Sequence, residues 1–181
     1  METNKKIINI RMRRVGAAII DWYLSTMLAS TSVTLFSHHL GPIDSQTFSL
    51  MNYSMNRALF IGIYAIIVGI IYYVIIPKVL FLGQTIGKRI FKIKVIQQND
   101  TDIKWSTLFK REILGSTLLE GGITVTGTYL RQLLAYLIGF SFKYLMYFAY
   151  IITILSIVFA YIKPDTLMFH DVISKTKVVR K

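Results

Sequence analysis

Three apolar windows set the limits on what this chain can fold into: residues 15–36, 58–76 and 144–162. Each is close to the roughly 20 apolar residues that cross ~30 Å of hydrocarbon. A fourth and weaker window lies between Ile113 and Phe142. With 54% hydrophobic residues and a mean hydropathy of +0.52, the chain is too apolar for an ordinary soluble domain. The expected class is an all-α membrane protein, one small polytopic bundle spanning 1–181. Its expected membrane helices are 15–36, 58–82, a broken or tilted one within 112–142, and 144–162.

The formal net charge of +12 raises the possibility of nucleic acid, so its distribution matters. Lys5, Lys6, Arg11, Arg13 and Arg14 precede the first window, and Lys88, Arg89, Lys92, Lys94, Lys104, Lys110 and Arg111 follow the second. Lys163, Lys175, Lys177, Arg180 and Lys181 close the chain, whereas 37–56 has no Lys or Arg. That is the positive-inside pattern, and it predicts a multi-pass protein of the cell membrane with both termini and the central loop cytoplasmic. Attraction to anionic lipid headgroups explains the excess, at about 1 kcal/mol per nearby basic residue, without any nucleic acid. The basic start followed by an apolar run also resembles a secretory signal, but Asp21 interrupts it and no small-x-small cleavage site follows; a retained helix is expected. No cysteine is present, which excludes disulfides and thiol chemistry.

If central loop and tail share one side, the chain crosses an even number of times between Arg111 and Lys163. The stretch 112–142 must then supply a crossing or a re-entrant hairpin despite Glu120, Gly121, Gly122 and Arg131. In the central loop, "KIKVIQQNDTDIKW" alternates on either side of Asn99-Asp100, which predicts a β-hairpin over about 91–106. "KTKVVRK" at the C-terminus is a further strand, and a small cytoplasmic sheet joining tail to loop is the expected result.

The residues able to carry chemistry are few. Asp21 sits inside the first window, seven residues after Arg14, so on a helix the two share nearly one face about 10 Å apart along the axis. Ala17, Ala18 and Ser25 lie on or near that face and suit close helix packing. An unpaired charge at this depth costs at least ~2.5 kcal/mol, so Asp21 needs a basic partner, a water-filled cavity or a proton. It either locks helix packing or binds a cation or proton in a transport path, and spacing alone does not separate the two.

"GQTIGKR", 83–89, has three residues between its glycines, and Arg89 follows Lys88, so it is not a phosphate-binding loop. A tight turn into a basic interfacial helix is expected. His170 and Asp171 lack a third ligand at metal-site spacing, and Asp171 instead suits a helix cap or a pair with Arg14. His38 and His39 in the external loop are read as polar residues at a helix end. Glu120 is a second acidic residue of the membrane region, expected to pair with Arg131 or to close a cavity. The many tyrosines fit interface belts and bundle packing, and Ala65 with Gly69 marks a helix contact.

"RRVGAAIID", "GQTIGKRIFKIKV", "FKRE" and "HDVISKTKVV", in this order, resemble the RDD family of small, mostly bacterial membrane proteins. The resemblance spans nearly the whole chain and implies that the Arg and two Asp of the family's name are Arg14, Asp21 and Asp171. It implies fold and key positions more than activity, which in the family is suspected to be transport. Arg14, Asp21 and Asp171 are expected to meet near the cytoplasmic side, with Arg111, Lys88 and Glu120 in support. Two functions remain. One is a small transporter or transport component for cations or another small solute, coupled to protons or sodium. So thin a bundle would need a homo-oligomer to enclose a path. The other is an adaptor holding a partner membrane protein. No nucleophile, base and orienting group occur together, so no enzyme is expected, and no cofactor is implied.

Overall fold

A computed structural model describes residues 2–38, 49–122, 124–163 and 165–181. Helix α1 runs Glu2–His38, so the first expected span is the distal part of a longer helix. No proline or glycine precedes Gly16 to stop it starting early. A 3-10 turn at Leu50–Asn52 leads into α2, Met55–Val79, which widens to π winding over Ile71–Ile75. The expected end at 82 retreats to Val79 because the Gly83 N–H turns back to the Pro77 carbonyl at 2.7 Å. Then follow α3 (Ile86–Ile90), β1 (Ile93–Gln97), α4 (105–119, π-wound from Lys110), α5 (Val125–Ile138), α6 (Phe142–Ile162), α7 (Phe169–Ser174) and β2 (Thr176–Arg180). His39 lies outside the described residues, as does the side chain of His38.

The chain is mostly helical, and two of its described helices, α2 and α6, are long and apolar enough to cross a membrane. Only 33% and 22% of their most apolar windows are buried, the reverse of a soluble core helix. Ile63, Ile67 and Ile71 of α2 and Tyr147, Ile151, Ile154 and Val158 of α6 point outward and need an apolar surrounding. Of the four membrane helices expected, with the third broken or tilted, α2 and α6 are the two described ones long and apolar enough to cross; α5 has 14 residues and rises only ~21 Å.

The region 112–142 is broken. Helix α4 stops at Leu119 and α5 starts at Val125 with Thr124 as its N-cap. Arg131, buried on α5, donates to the carbonyls of Thr117 (3.2 Å), Leu118 (2.8 Å) and Gly121 (3.0 Å). It therefore satisfies backbone acceptors that the break would otherwise strand. Of the two roles expected of Glu120, the pair with Arg131 does not form, because those carbonyls already use the guanidinium. Helix α5 packs antiparallel to α2, with Leu133 over Gly62 and Thr126 over Gly69. Leu50, Ala58, Ile61, Ala65, Tyr129 and Leu133 form the core between them.

The expected 91–106 hairpin does not form. The turn at Asn99-Asp100 is present, with the Asp100 N–H donating to the Gln97 carbonyl at 3.1 Å. Beyond it, however, Ile103 is buried in the cluster containing Ile93 and Val95, Lys78 holds the Ile103 carbonyl at 2.7 Å, and Trp105 opens α4. Ile103 is thus needed beneath β1, not beside it. The partner of β1 is the tail: β1 and β2 are antiparallel, with Val95 opposite Val178. Lys181 N–H to Lys92 O and Gln98 N–H to Lys175 O, 2.9 and 3.0 Å, bracket the ladder. By antiparallel alternation, Lys94/Val179 and Ile96/Lys177 are then its hydrogen-bonded pairs. Hydrogen exchange should therefore find the Val179 amide slow and its neighbour Val178 faster; replacing Ile93–Gln97 with a flexible linker should release Val179.

Candidate functional site

Asp21 is 4% exposed and faces α2 and α3. Its Oδ1 accepts from the Tyr72 hydroxyl at 2.7 Å and from the Gly87 N–H at 2.9 Å, and its Oδ2 from the Thr85 hydroxyl at 2.5 Å. Thr85 is the N-cap of α3, so the carboxylate sits on the positive end of the loop helix. Close approach requires Gly87: a Cβ there would lie 2.4 Å from the Ala17 carbonyl oxygen and 2.8 Å from Asp21 Oδ1. The "GQTIGKR" stretch is thus a turn and a helix start shaped to dock on α1. Among the described residues Asp21 makes no ion pair. Of the small stripe beside it, Ala17 and Ser25 are buried and Ala18 is exposed.

Asp171 is the centre of a second, charged lock. It is 0% exposed and its Oδ2 caps its own helix through the Met168 N–H at 3.1 Å. Arg14 Nη2 lies 2.6 Å from Oδ2, while Arg111 donates to Oδ1 from Nη2 at 3.0 Å and from Nε at 3.3 Å. Arg14 also reaches the Thr166 carbonyl at 2.5 Å. Helix α1, helix α4 and the tail are therefore tied through one carboxylate. Burial works against its ionisation, but the guanidinium groups of Arg111 and Arg14 hold it well below the usual carboxylate range.

Arg111 also bonds Glu112 and lies 2.9 Å from His170 Nε2. The opposite ring nitrogen, Nδ1, is 2.8 Å from Glu120 Oε2, and the His170 backbone N–H donates to Glu120 Oε1 at 2.7 Å. Lys88 reaches Glu112 at 3.9 Å, and burial, opposed by Glu112, pushes its ammonium below the ordinary lysine value. The π winding of α4 turns the successive residues Arg111 and Glu112 inward together.

These groups line a cavity of about 500 Å³ between α1, α4, α6 and the tail. Arg14, Asp21, Lys88, Arg111, Glu112, Glu120 and His170 contribute its polar wall; Val15, Ile19, Trp22 and Ile157 contribute apolar wall. All six residues singled out in the sequence reach this chamber or its immediate support. The triad implied by the resemblance is divided: Arg14 and Asp171 meet, and Asp21 fastens the loop helix instead. Glu112, Tyr72 and Thr85 were missed, and His170 was weighed only as a metal ligand. The adjacency of Arg111 to Glu112 was the one available signal, in a segment otherwise read for its basic charge.

A mostly helical chain with two apolar helices long enough to cross a membrane, and a buried Arg/Asp lock beside them, is the class that fold and site define. The model of the RDD family matches residues 11–175, and the chain belongs to that family. Among curated proteins and among solved structures, nothing matches it.

Proposed function

We propose that this RDD-family protein is a small transporter or transport component for a small ion or solute, coupled to protons or sodium. The observation that carries this reading is the set of buried charged groups that reach the wall of an otherwise largely apolar cavity. Buried charges cost several kcal/mol each unless they are paired, and a stable scaffold has no use for grouping so many around about 500 Å³ of space. In this reading α1, α2, the α4–α5 break with α5, and α6 cross the bilayer, with both termini cytoplasmic. Helix α5 is short because the non-helical residues Glu120, Gly121, Gly122 and Thr124 help to complete the depth, covered by protein as such backbone must be. Anionic headgroups would meet the basic loop and tail, and a second copy would help to enclose the path.

The experiment is ion flux into proteoliposomes under imposed proton and sodium gradients. Wild type should show flux, and Ala160→Trp, which fills the chamber from a wall position outside the ion pairs, should lose it while keeping its fold. Equal flux in both would sink the reading. One observation favours the adaptor instead: Asp21, Arg14 and Asp171 are all engaged in bonds that join loop, tail and helix. Silence from well-folded wild type, together with a partner that co-purifies, would move the assignment there.

A further inference from the structure

We propose that the Glu120–His170 pair is the proton-binding site of the chamber, and that a proton taken up at His170 Nε2 displaces Arg111 from Asp171. The proposal rests on the transport reading only for what the proton is coupled to; the site itself follows from donor and acceptor bookkeeping. A guanidinium has donors and no acceptor. With Arg111 Nη2 at 2.9 Å, His170 Nε2 must therefore accept, so the ring proton resides on Nδ1 and is donated to Glu120 Oε2 at 2.8 Å. The second Glu120 oxygen is held by the His170 backbone N–H at 2.7 Å, which fixes the carboxylate to one histidine at two points.

In this arrangement the imidazole is neutral and its remaining proton-accepting nitrogen faces a cation. A proton from chamber water that binds Nε2 turns this contact into donor against donor and positive against positive. An acceptor within reach is Asp171 Oδ1, 3.6 Å from Nε2. That oxygen is the one Arg111 occupies, at 3.0 Å from Nη2 and 3.3 Å from Nε. The imidazolium and Arg111 thus compete for Oδ1, and Arg111 retains Glu112 as its alternative partner.

The charged surroundings favour this exchange over a wholesale opening. Glu120 faces the ring from the α4–α5 break, Arg111 and Glu112 face it from α4, and Asp171 lies on its own helix. Arg14 holds the other oxygen of Asp171 from α1, and Lys88 of α3 stands behind Glu112. The ring cannot retreat toward α4, whose Gly115 approaches so closely that a Cβ there would be 2.5 Å from His170 Cβ. Because Arg14 stays on Oδ2, the tie between α1 and the tail survives while the tie to α4 is exchanged. One proton thereby redirects a guanidinium that lines the chamber.

The test uses the full chain in lipid nanodiscs, labelled with 15N-histidine and 15N-arginine and carrying His38→Gln and His39→Gln so that His170 alone reports. Above the titration, the ring should be the Nδ1–H tautomer. On acidification it should become imidazolium while the Arg111 side-chain signals shift over the same pH range. Glu120→Gln should move that titration about one pH unit or more downward, since it removes the carboxylate that favours the charged ring. An Nε2–H tautomer in the starting state, or Arg111 signals that stay constant through the titration, would overturn the proposal. Those two readouts need no substitution in the network, so they decide even where Glu120→Gln fails to fold. Titration as expected without proton flux in liposomes keeps the site and removes the transport reading; proton flux with a His170 that never titrates does the opposite.

Discussion

Asp171→Ala should destabilise the protein by about 3–5 kcal/mol, because it leaves two buried arginines facing each other without their shared carboxylate. Arg14 and Arg111 meet Asp171 through different oxygens, and Asp171 is 0% exposed, so the two cations would lose the one counter-ion they share inside the protein. The measurement is denaturant unfolding of purified protein in micelles, followed by fluorescence of Trp22 and Trp105. A double-mutant cycle with Arg14→Met makes the attribution specific. Once the arginine is gone, removing Asp171 should cost at least ~1 kcal/mol less, whereas strict additivity would mean that the pair does not carry the effect. The pH dependence has a definite sign. The folded carboxylate is held below its ordinary value, so its contribution is fully present above about pH 4, the unfolded aspartate range. It is lost only as pH falls through the lower, folded value. Mild acid near pH 5 should therefore leave the Asp171 carboxylate charged and its tie to Arg14 intact.

Asp21→Ala is expected to be comparably severe for a different reason. It strands the Tyr72 hydroxyl, the Thr85 hydroxyl and the Gly87 N–H, three donors on one buried carboxylate, at about 1–3 kcal/mol for each group left unpaired. Gly87→Ala should reproduce much of the damage without removing the carboxylate, since its Cβ would meet the Ala17 backbone oxygen at 2.4 Å and Asp21 Oδ1 at 2.8 Å and push α3 away from α1. Both variants should make 80–92 newly sensitive to protease. Asp21→Asn is the informative contrast. An amide keeps one oxygen for Gly87 and Tyr72 and can donate to the Thr85 hydroxyl, so the loss should be nearer 1–2 kcal/mol, with flux retained in the folded fraction. Flux abolished in well-folded Asp21→Asn would instead make Asp21 a transport residue.

This bears on how an acidic residue inside an apolar helix is interpreted. Its depth makes it costly to leave unpaired, and a positioned helix N-terminus can satisfy it as fully as an arginine can. Arg14, seven residues away on the same face, looked like its partner by spacing. It instead turns to Asp171, 157 positions later in the chain, because the short helix α7 presents there a carboxylate whose second oxygen Arg111 leaves open.

The apolar windows, the positive clusters and the β-branched tail were enough to determine a mostly helical chain of the membrane class, with a tail strand joined to the central loop. Those properties reside in local composition and period, and hydrophobic burial acts on them wherever they occur. The position of the break before α5, the turning of Arg131 onto carbonyls, and the separation of Asp21 from the Arg14–Asp171 pair were decided only by tertiary structure. So was the gathering of Glu112, Glu120 and His170 around one cavity. Each depends on which donor reaches which acceptor first across segments distant in sequence, and a one-dimensional spacing carries no record of that competition.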